Sequence, residues 1–319
     1  MIRYYPYELH THTIHSDGSM SPTELVATAR KQGLSGIALT DHNAVTGVEE
    51  AVKACEGKSF NVIPGVEWTT FYGHLTVLGG NTKINYQEVN PSNVLDVIKK
   101  VRAEGDIIGI AHPYRIGYPI CTGGSNDFNI SDYSGITHYE VWSYLSPQKE
   151  RTNELADREY LRLIEHGNKI ACVYGRDFHK VEDGAYAATY LGIDGENNTK
   201  NAIEAIKSGR TYISLGLMME ASLKKDGKEY HVGSTVKAGS YLFKLMLLPV
   251  INFCNKYGVS METLTLEGSA LEAPIVRNIA TGGYGALIDI TPGYFRIKVT
   301  GKVEGEQGTL LISTPFYVE

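Results

Sequence analysis

Along the first two-thirds of the 319-residue chain, short apolar runs at strand spacing alternate with stretches whose apolar residues recur every three to four positions. The runs at 4–11, 36–40, 61–67, 74–78, 107–111, 138–142 and 169–174 read as strands. The stretches at 21–32, 44–55, 91–104, 150–166 and 199–208 read as amphipathic helices. Start signals support the helices: Ser21-Pro22 with Glu24 supplies an N-cap, a first-position proline and a first-turn acid, and Asn90-Pro91 resembles it. Repeated β-then-α units predict a parallel sheet closed or nearly closed into a barrel.

Beyond about residue 215 the helical period disappears. Runs at 241–250, 286–290 and 295–299 are separated by turn signals at Asp226-Gly227, Gly282-Gly283 and Pro292-Gly293. This pattern predicts an α/β barrel unit over 1–214 followed by a small all-β, sandwich-like unit over 215–319. The most apolar stretch, LFKLMLLPVINFC at 242–254, is too short to span a bilayer and is interrupted by Lys244 and Pro249, so it reads as a buried strand.

Charge narrows the partners. The chain carries 30 basic and 36 acidic residues, a net of −6. The 215–319 segment has ten of each, so the whole imbalance falls on 1–214. No block of like charge is present, which argues against long nucleic acid held through its phosphates. Cys55, Cys121, Cys172 and Cys254 are scattered without a C-x-x-C pair, so neither a disulfide framework nor a thiolate zinc site is expected. With no signal-peptide pattern in MIRYYPYELH, the expectation is a cytoplasmic protein without a membrane partner.

The candidate chemistry lies where metal-capable side chains fall relative to the strands. HTHTIHSDGS at 10–19 packs three histidines and an aspartate behind the first strand. His10 and His12 close strand one, Asp41 and His42 follow strand two in LTDHN, and Glu67 ends strand three in VIPGVE. His74 begins the next run in YGHLTVLG, His112 follows GIA, and Asp177 and His179 follow a later strand in YGRDFHK. In a β/α barrel the C-terminal strand ends converge on one mouth, so these distant residues are expected to meet. Two histidines at i and i+2 on a strand face the same side, and Asp177 and His179 repeat the spacing. Imidazole and carboxylate donors without thiolate suit Zn, Mn or Fe. His10, His12, Asp17, His42, Glu67, His74, His112, Asp177 and His179 are more ligands than one ion uses, which implies two or three divalent ions. His15 is an alternative to Asp17. Asp41 reads as a carboxylate that orients a ligand rather than as a ligand. His138, His166 and His231 read as structural.

Taken in order, HTH-x4-DG at 10–18, TDHN at 40–43, PGVE at 64–67, AHP at 111–113 and GRDFH at 175–179 resemble the motifs of the PHP (polymerase and histidinol phosphatase) phosphoesterase superfamily over roughly residues 5–215. The resemblance implies a distorted (β/α)7 barrel with three metals at its mouth. It assigns His10, His12, Glu67 and Asp177 to a first metal, and makes Glu67 a bridge to a second held also by His74 and His112. Asp17, His42 and His179 match the third. The C-terminal part, ending in ISTPFYVE, is similar to that of a PHP branch named for a carbaryl (carbamate ester) hydrolase.

The expected reaction is metal-assisted hydrolysis, in which a hydroxide shared by two ions attacks phosphorus or a carbonyl carbon. Arg115 and Arg176 each adjoin a ligand motif, where a guanidinium grips a phosphate oxygen or else makes a structural salt bridge. Ser16 and Ser19 read as turn residues or as supports behind the ligands, and Tyr114, Tyr118 and Trp142 as an aromatic wall or ordinary packing. The substrate expected first is a small phosphomonoester, phosphodiester or nucleotide. A carboxylic or carbamate ester is the alternative, and a non-catalytic, metal-stabilised binding module is a further one.

Overall fold

The computed structural model describes residues 2–81, 83–115, 126–279 and 282–319, so Tyr118 and Cys121 lie outside the described residues. The chain runs β1 (Ile2–Thr11), α1 (Pro22–Lys31), β2 (Gly36–Leu39), α2 (Val48–Cys55), β3 (Asn61–Thr70), β4 (Gly73–Leu78), α3 (Val94–Ala103), β5 (Ile107–Ile110), β6 (His138–Ser143), α4 (Arg151–Glu165) and β7 (Ala171–Gly175). It continues through β8 (Ala188–Asp194), α5 (Thr199–Lys207), β9 (Thr211–Ser214), β10 (Leu217–Lys225), β11 (Lys228–Tyr230), β12 (Thr235–Val236) and β13 (Gly239–Pro249). The last elements are α6 (Ile251–Tyr257), β14 (Ser260–Glu267), β15 (Ile275–Asn278), β16 (Gly283–Ile290), β17 (Gly293–Val303), β18 (Glu306–Ser313) and β19 (Phe316–Val318). The result is a mixed α/β fold with a large β-rich C-terminal part.

Local chemistry places the early elements. Ser21 and Glu24 close a reciprocal capping box on α1, with Pro22 at its first position. Strands β1, β2 and β3 pair in parallel, as do β5, β6 and β7. The expected all-parallel order is broken by β4, which pairs antiparallel with both β3 and β5. Only Phe71 and Tyr72 separate β3 from β4, and two residues make a hairpin but not a crossover. Past β7 the chain returns to β1: Phe178 N–H donates to the His10 carbonyl, and His12 N–H donates to the Phe178 carbonyl, both at 3.0 Å.

The sheet does not stop at residue 214. β1 pairs with β8, β8 with β9, β9 with β18 and β18 with β17. A separate four-stranded sheet has the order β11-β10-β13-β16. One apolar cluster extends from Trp68 and Ile108 through Tyr160 and Cys172 to Phe243 and Phe295, tying the C-terminal strands to the α4 side of the fold. A buried ion pair reinforces that seam. Arg296 on β17 reaches Asp157 on α4 through both terminal nitrogens, and its Nε lies 2.9 Å from Glu267 on β14.

Two further expectations change. The 242–254 stretch is half strand and half helix, because Pro249 ends β13 and α6 begins at Ile251. Its strand half is also two-faced, with alternate residues exposed, Met246 to 51%. No described helix is long and apolar enough to cross a membrane.

Candidate metal centre and active site

The alternation of β1 puts His10 and His12 on one side, while Thr11 turns the other way and donates to the Ala38 carbonyl at 2.7 Å. After His12 the chain folds back on itself. The Gly18 position permits this, since a Cβ there would lie 2.4 Å from the His12 carbonyl oxygen. His74 reaches the same end although it starts its strand. β4 runs antiparallel, so its first residues lie beside the last residues of β3, with His74 opposite Thr69.

All nine expected ligands meet around the buried carboxylate of Glu67. Its Oε1 lies 2.8 Å from His74 Nδ1 and 2.9 Å from His112 Nε2. Its Oε2 lies 2.8 Å from His42 Nδ1, 3.1 Å from His10 Nε2 and 3.4 Å from His12 Nε2. Asp177 Oδ1 is 2.9 Å from His12 Nε2 and 3.4 Å from His10 Nε2. Asp17 Oδ1 sits 3.0 Å from His179 Nε2 and 3.5 Å from His42 Nε2. His15 turns away and pairs its Nδ1 with Thr46 Oγ1 at 2.8 Å. His112 and Asp177 hold φ values of 23° and 58°, rare for residues with a Cβ. Such backbone costs about 1–3 kcal/mol per residue and collects at functional positions.

A ring of polar groups orients these side chains. Among the described residues no hydrogen bond joins the Asp41 carboxylate to the His42 ring. Asp41 accepts from the Thr13 N–H and hydroxyl, both at 2.7 Å, and from the Ser16 hydroxyl at 2.6 Å, and Ser16 Oγ lies 3.4 Å from His12 Nδ1. Ser19 donates to the His179 carbonyl. Glu140 on β6 is the residue that sequence reasoning passed over. Its Oε1 lies 2.7 Å from His10 Nδ1, and its Oε2 accepts the His112 N–H at 2.7 Å. Gly175 makes room for it, since a Cβ there would stand 2.2 Å from Glu140 Oε1. The available signal was a lone glutamate inside HYEVWS, whose neighbours are wholly buried. Glu8, equally buried, accepts from the His10 and Arg176 N–H groups. Burial outweighs those hydrogen bonds and raises its pKa to about 8.

The remaining candidates divide. Arg115 Nη1 lies 3.0 Å from Asp177 Oδ2, and its guanidinium stacks on Tyr144. Arg176 is 4% exposed and lies 4.1 Å over the Phe178 ring, with Nη1 and Nη2 making no hydrogen bond among the described residues. Both line a cleft of about 500 Å³ with Asp17, His112, Asp177 and His179. Trp142 packs in the core, and Tyr114 is half-buried. His138 is held between the Thr76 and Thr137 hydroxyls, and burial lowers its pKa to about 4. His166 lies within hydrogen-bonding distance of the Arg162 carbonyl at the end of α4.

The donor set fits divalent cations. Nε2 of His10, His12 and His42, Oε2 of Glu67 and Oδ1 of Asp177 are buried without a hydrogen bond of acceptable geometry, although they crowd together. Among the described residues, three overlapping groups have ligand atoms mutually within 4.8 Å: His12, Asp17, His42 and His179; His10, His12, Glu67 and Asp177; and His42, Glu67 and His74. Burial resists charge at both Glu67 and Asp177, yet the charge on His10 and the bonds from neighbouring imidazoles hold both carboxyls well below their usual range. Burial likewise resists charge on His10, but Glu67, Glu140 and Asp177 outweigh it and raise its pKa well above the ordinary value. The site therefore concentrates negative charge that cations satisfy.

Residues 8–172 match the model of the PHP domain. The chain belongs to the PHP domain family. Among curated relatives, a 5'-3' exoribonuclease of Haemophilus influenzae is 45% identical over 64 residues, 20% of this chain and 23% of that protein. A 3',5'-nucleoside bisphosphate phosphatase of Chromobacterium violaceum is 36% identical over 70 residues, 22% of this chain and 25% of that protein. These matches therefore span about a quarter of the curated relatives' length. A crystal structure of a two-domain Bacteroides vulgatus protein containing a predicted PHP-like metal-dependent phosphoesterase superimposes with a TM-score of 0.51 at 14% identity, over 99% of this chain and 96% of that one. This last likeness covers both the α/β part and the β-rich part, and it is a likeness of fold.

Proposed function

We propose that the protein is a metal-dependent phosphoesterase that hydrolyses a small phosphomonoester, phosphodiester or nucleotide at a centre of two to three divalent ions of Zn, Mn or Fe. The observation that carries this reading is the crowding of five buried ligand atoms that lack a hydrogen bond of acceptable geometry, Glu67 Oε2 among them, beside a cleft lined by two arginines. His10, His12, Glu67 and Asp177 would hold one ion, Glu67, His74 and His112 a second, and Asp17, His42 and His179 a third. Bound ions supply Lewis acidity and lower the pKa of a coordinated water. The chain's own residues do the rest. Glu140 fixes the ring of His10 and the backbone of His112, Asp41 fixes the turn after His12, and Arg115 and Arg176 take the non-bridging oxygens of the phosphoryl group.

The barrel reading of 1–214 is supported by the Phe178 bonds that bring the chain after β7 back to β1. The 215–319 segment is the appended β unit. The names of the two curated relatives, an exoribonuclease and a bisphosphate phosphatase, agree with a phosphate ester as substrate. The test is p-nitrophenol release by Mn-, Zn- and Fe-reconstituted protein from a phosphomonoester, a phosphodiester, an acetate ester and a carbamate. Preferential turnover of a phosphate ester is expected. Turnover of the carbonyl esters alone would overturn the reading.

A further inference from the structure

The tip of the β17–β18 hairpin reaches from the C-terminal part of the chain to Ser146 and Ala185, next to segments that line the cleft. Glu304 and Gly305 make its two-residue turn with φ of 53° and 81°, the twist that suits tight hairpins. Glu304 carries three contacts to two segments of the α/β part. Its Oε2 lies 2.8 Å from Lys149 Nζ and accepts the Ser146 hydroxyl at 3.4 Å, and its Oε1 accepts the Ala185 N–H at 3.2 Å. Its own N–H donates to the Tyr257 carbonyl at the end of α6. The two segments are also tied to each other, through the Ser146 N–H to the Ala185 carbonyl at 2.6 Å.

Both segments carry walls of the cleft. Tyr144 and Leu145 line it directly, and Tyr144 lies against the Arg115 guanidinium. Tyr144 and Ser146 hold φ of 72° and 51°, so this wall is in a conformation that its own residues do not favour and its neighbours must impose. On the other segment Tyr186 lies 5.5 Å from the Arg176 guanidinium, and its ring meets Phe253 and Tyr257 of α6 edge-on at 5.2 and 6.3 Å. The C-terminal part thus braces both arginines from behind without placing a side chain in the ligand cluster. The lining outside that cluster is what meets the rest of a substrate whose phosphoryl group sits at the ions.

We infer that Glu304 is a positioning residue that sets the substrate-binding wall of the cleft, and that the C-terminal β part serves through it as a specificity element of the hydrolase. The inference takes its substrate class from the phosphoesterase reading above. The carboxylate contacts are partly buried and charge-assisted, of the kind whose loss misplaces a wall without unfolding the chain.

The test compares metal-loaded wild type with Glu304→Asn, which tolerates the positive φ but is too short to make the contacts, and with Glu306→Gln. Glu306 is exposed and lies 3.9 Å from the same Lys149 ammonium, but no hydrogen bond joins it to Ser146 or Ala185 among the described residues, so it controls for the loss of one charge beside Lys149. For p-nitrophenyl phosphate, Glu304→Asn is expected to raise KM about tenfold with kcat within about twofold and bound metal unchanged, the signature of lost binding rather than lost chemistry. Amide exchange of the peptides containing Ser146 and Ala185, followed without metal or substrate, should speed up at least about tenfold. Glu306→Gln should match wild type on both counts. Unchanged exchange at both peptides, or an unchanged KM in an active enzyme, overturns the positioning role. A wild type silent on phosphate esters overturns the hydrolase reading instead, and the exchange result then decides alone whether Glu304 holds the wall.

Discussion

Replacing Glu140 by glutamine separates the ligands from the group that holds them. The substitution keeps size and shape at a position 2% exposed, but removes a carboxylate that meets His10 Nδ1 and the His112 N–H, both at 2.7 Å. An amide has one oxygen for these two donors, and its NH2 group must face the other. One charge-assisted bond is therefore lost outright and the second weakened, a change of about 1.5–3 kcal/mol. Because His10 and His112 are assigned to different ions that share Glu67, the loss should appear as weaker retention of two ions, by about 10- to 100-fold in all. The assay is elemental analysis of protein dialysed against graded chelator, with phosphate-ester turnover measured on the same samples. The Glu140→Gln protein should release metal at about 10- to 100-fold lower chelator strength, and its activity should return with excess metal. Retention equal to wild type with lost activity would refute the orienting role.

Other outcomes follow from the same structure. Arg176→Ala should raise KM for phosphate substrates at least about tenfold by removing a buried guanidinium, and unchanged steady-state kinetics would remove Arg176 from the site. His138 is neutral when folded because burial lowers its pKa to about 4, whereas in the unfolded chain it takes a proton near its ordinary 6.5. Its contribution is present above pH 6.5 and lost as pH falls toward 4, by up to about 3 kcal/mol. Denaturant titrations at pH 7 and 4.5 should differ less in His138→Gln than in wild type, and an equal difference would exclude the effect. Asp157→Asn leaves Arg296, 1% exposed, with Glu267 as its remaining acid, and should cost about 3 kcal/mol in thermal or denaturant unfolding. No measurable loss would mean that the apolar seam alone joins α4 to the C-terminal strands.

The clustering of the candidate ligands was legible because strand geometry makes it so. Histidines two apart at a strand end must share a face, and repeated β-then-α spacing sends such ends to one place. His74 was legible as a residue but not as a position, since its arrival beside Glu67 depends on the antiparallel turn at Phe71 and Tyr72. Glu140 was hidden because a single carboxylate in an apolar strand carries no spacing pattern. Its meaning lies in contacts with His10 and His112, 130 and 28 residues away. Strands β8 and β9 went unread, and so did the continuation of the sheet through β9 and β18, which pairs residues about a hundred positions apart. Pro249 marked the end of β13, yet the apolar run through it masked the change to α6. The reach of Glu304 to Ser146 and Ala185 is wholly tertiary and leaves no local trace.

The central claim is that Glu67 is the shared carboxylate of a multi-ion hydrolytic centre. It is tested most directly by counting metal per chain in wild type and Glu67→Gln after identical reconstitution, with phosphate-ester turnover measured alongside. Two to three ions in wild type, at most one in the variant, and activity lost together with the metal are expected. Full metal occupancy in the variant, or equal turnover by both proteins, would contradict the claim.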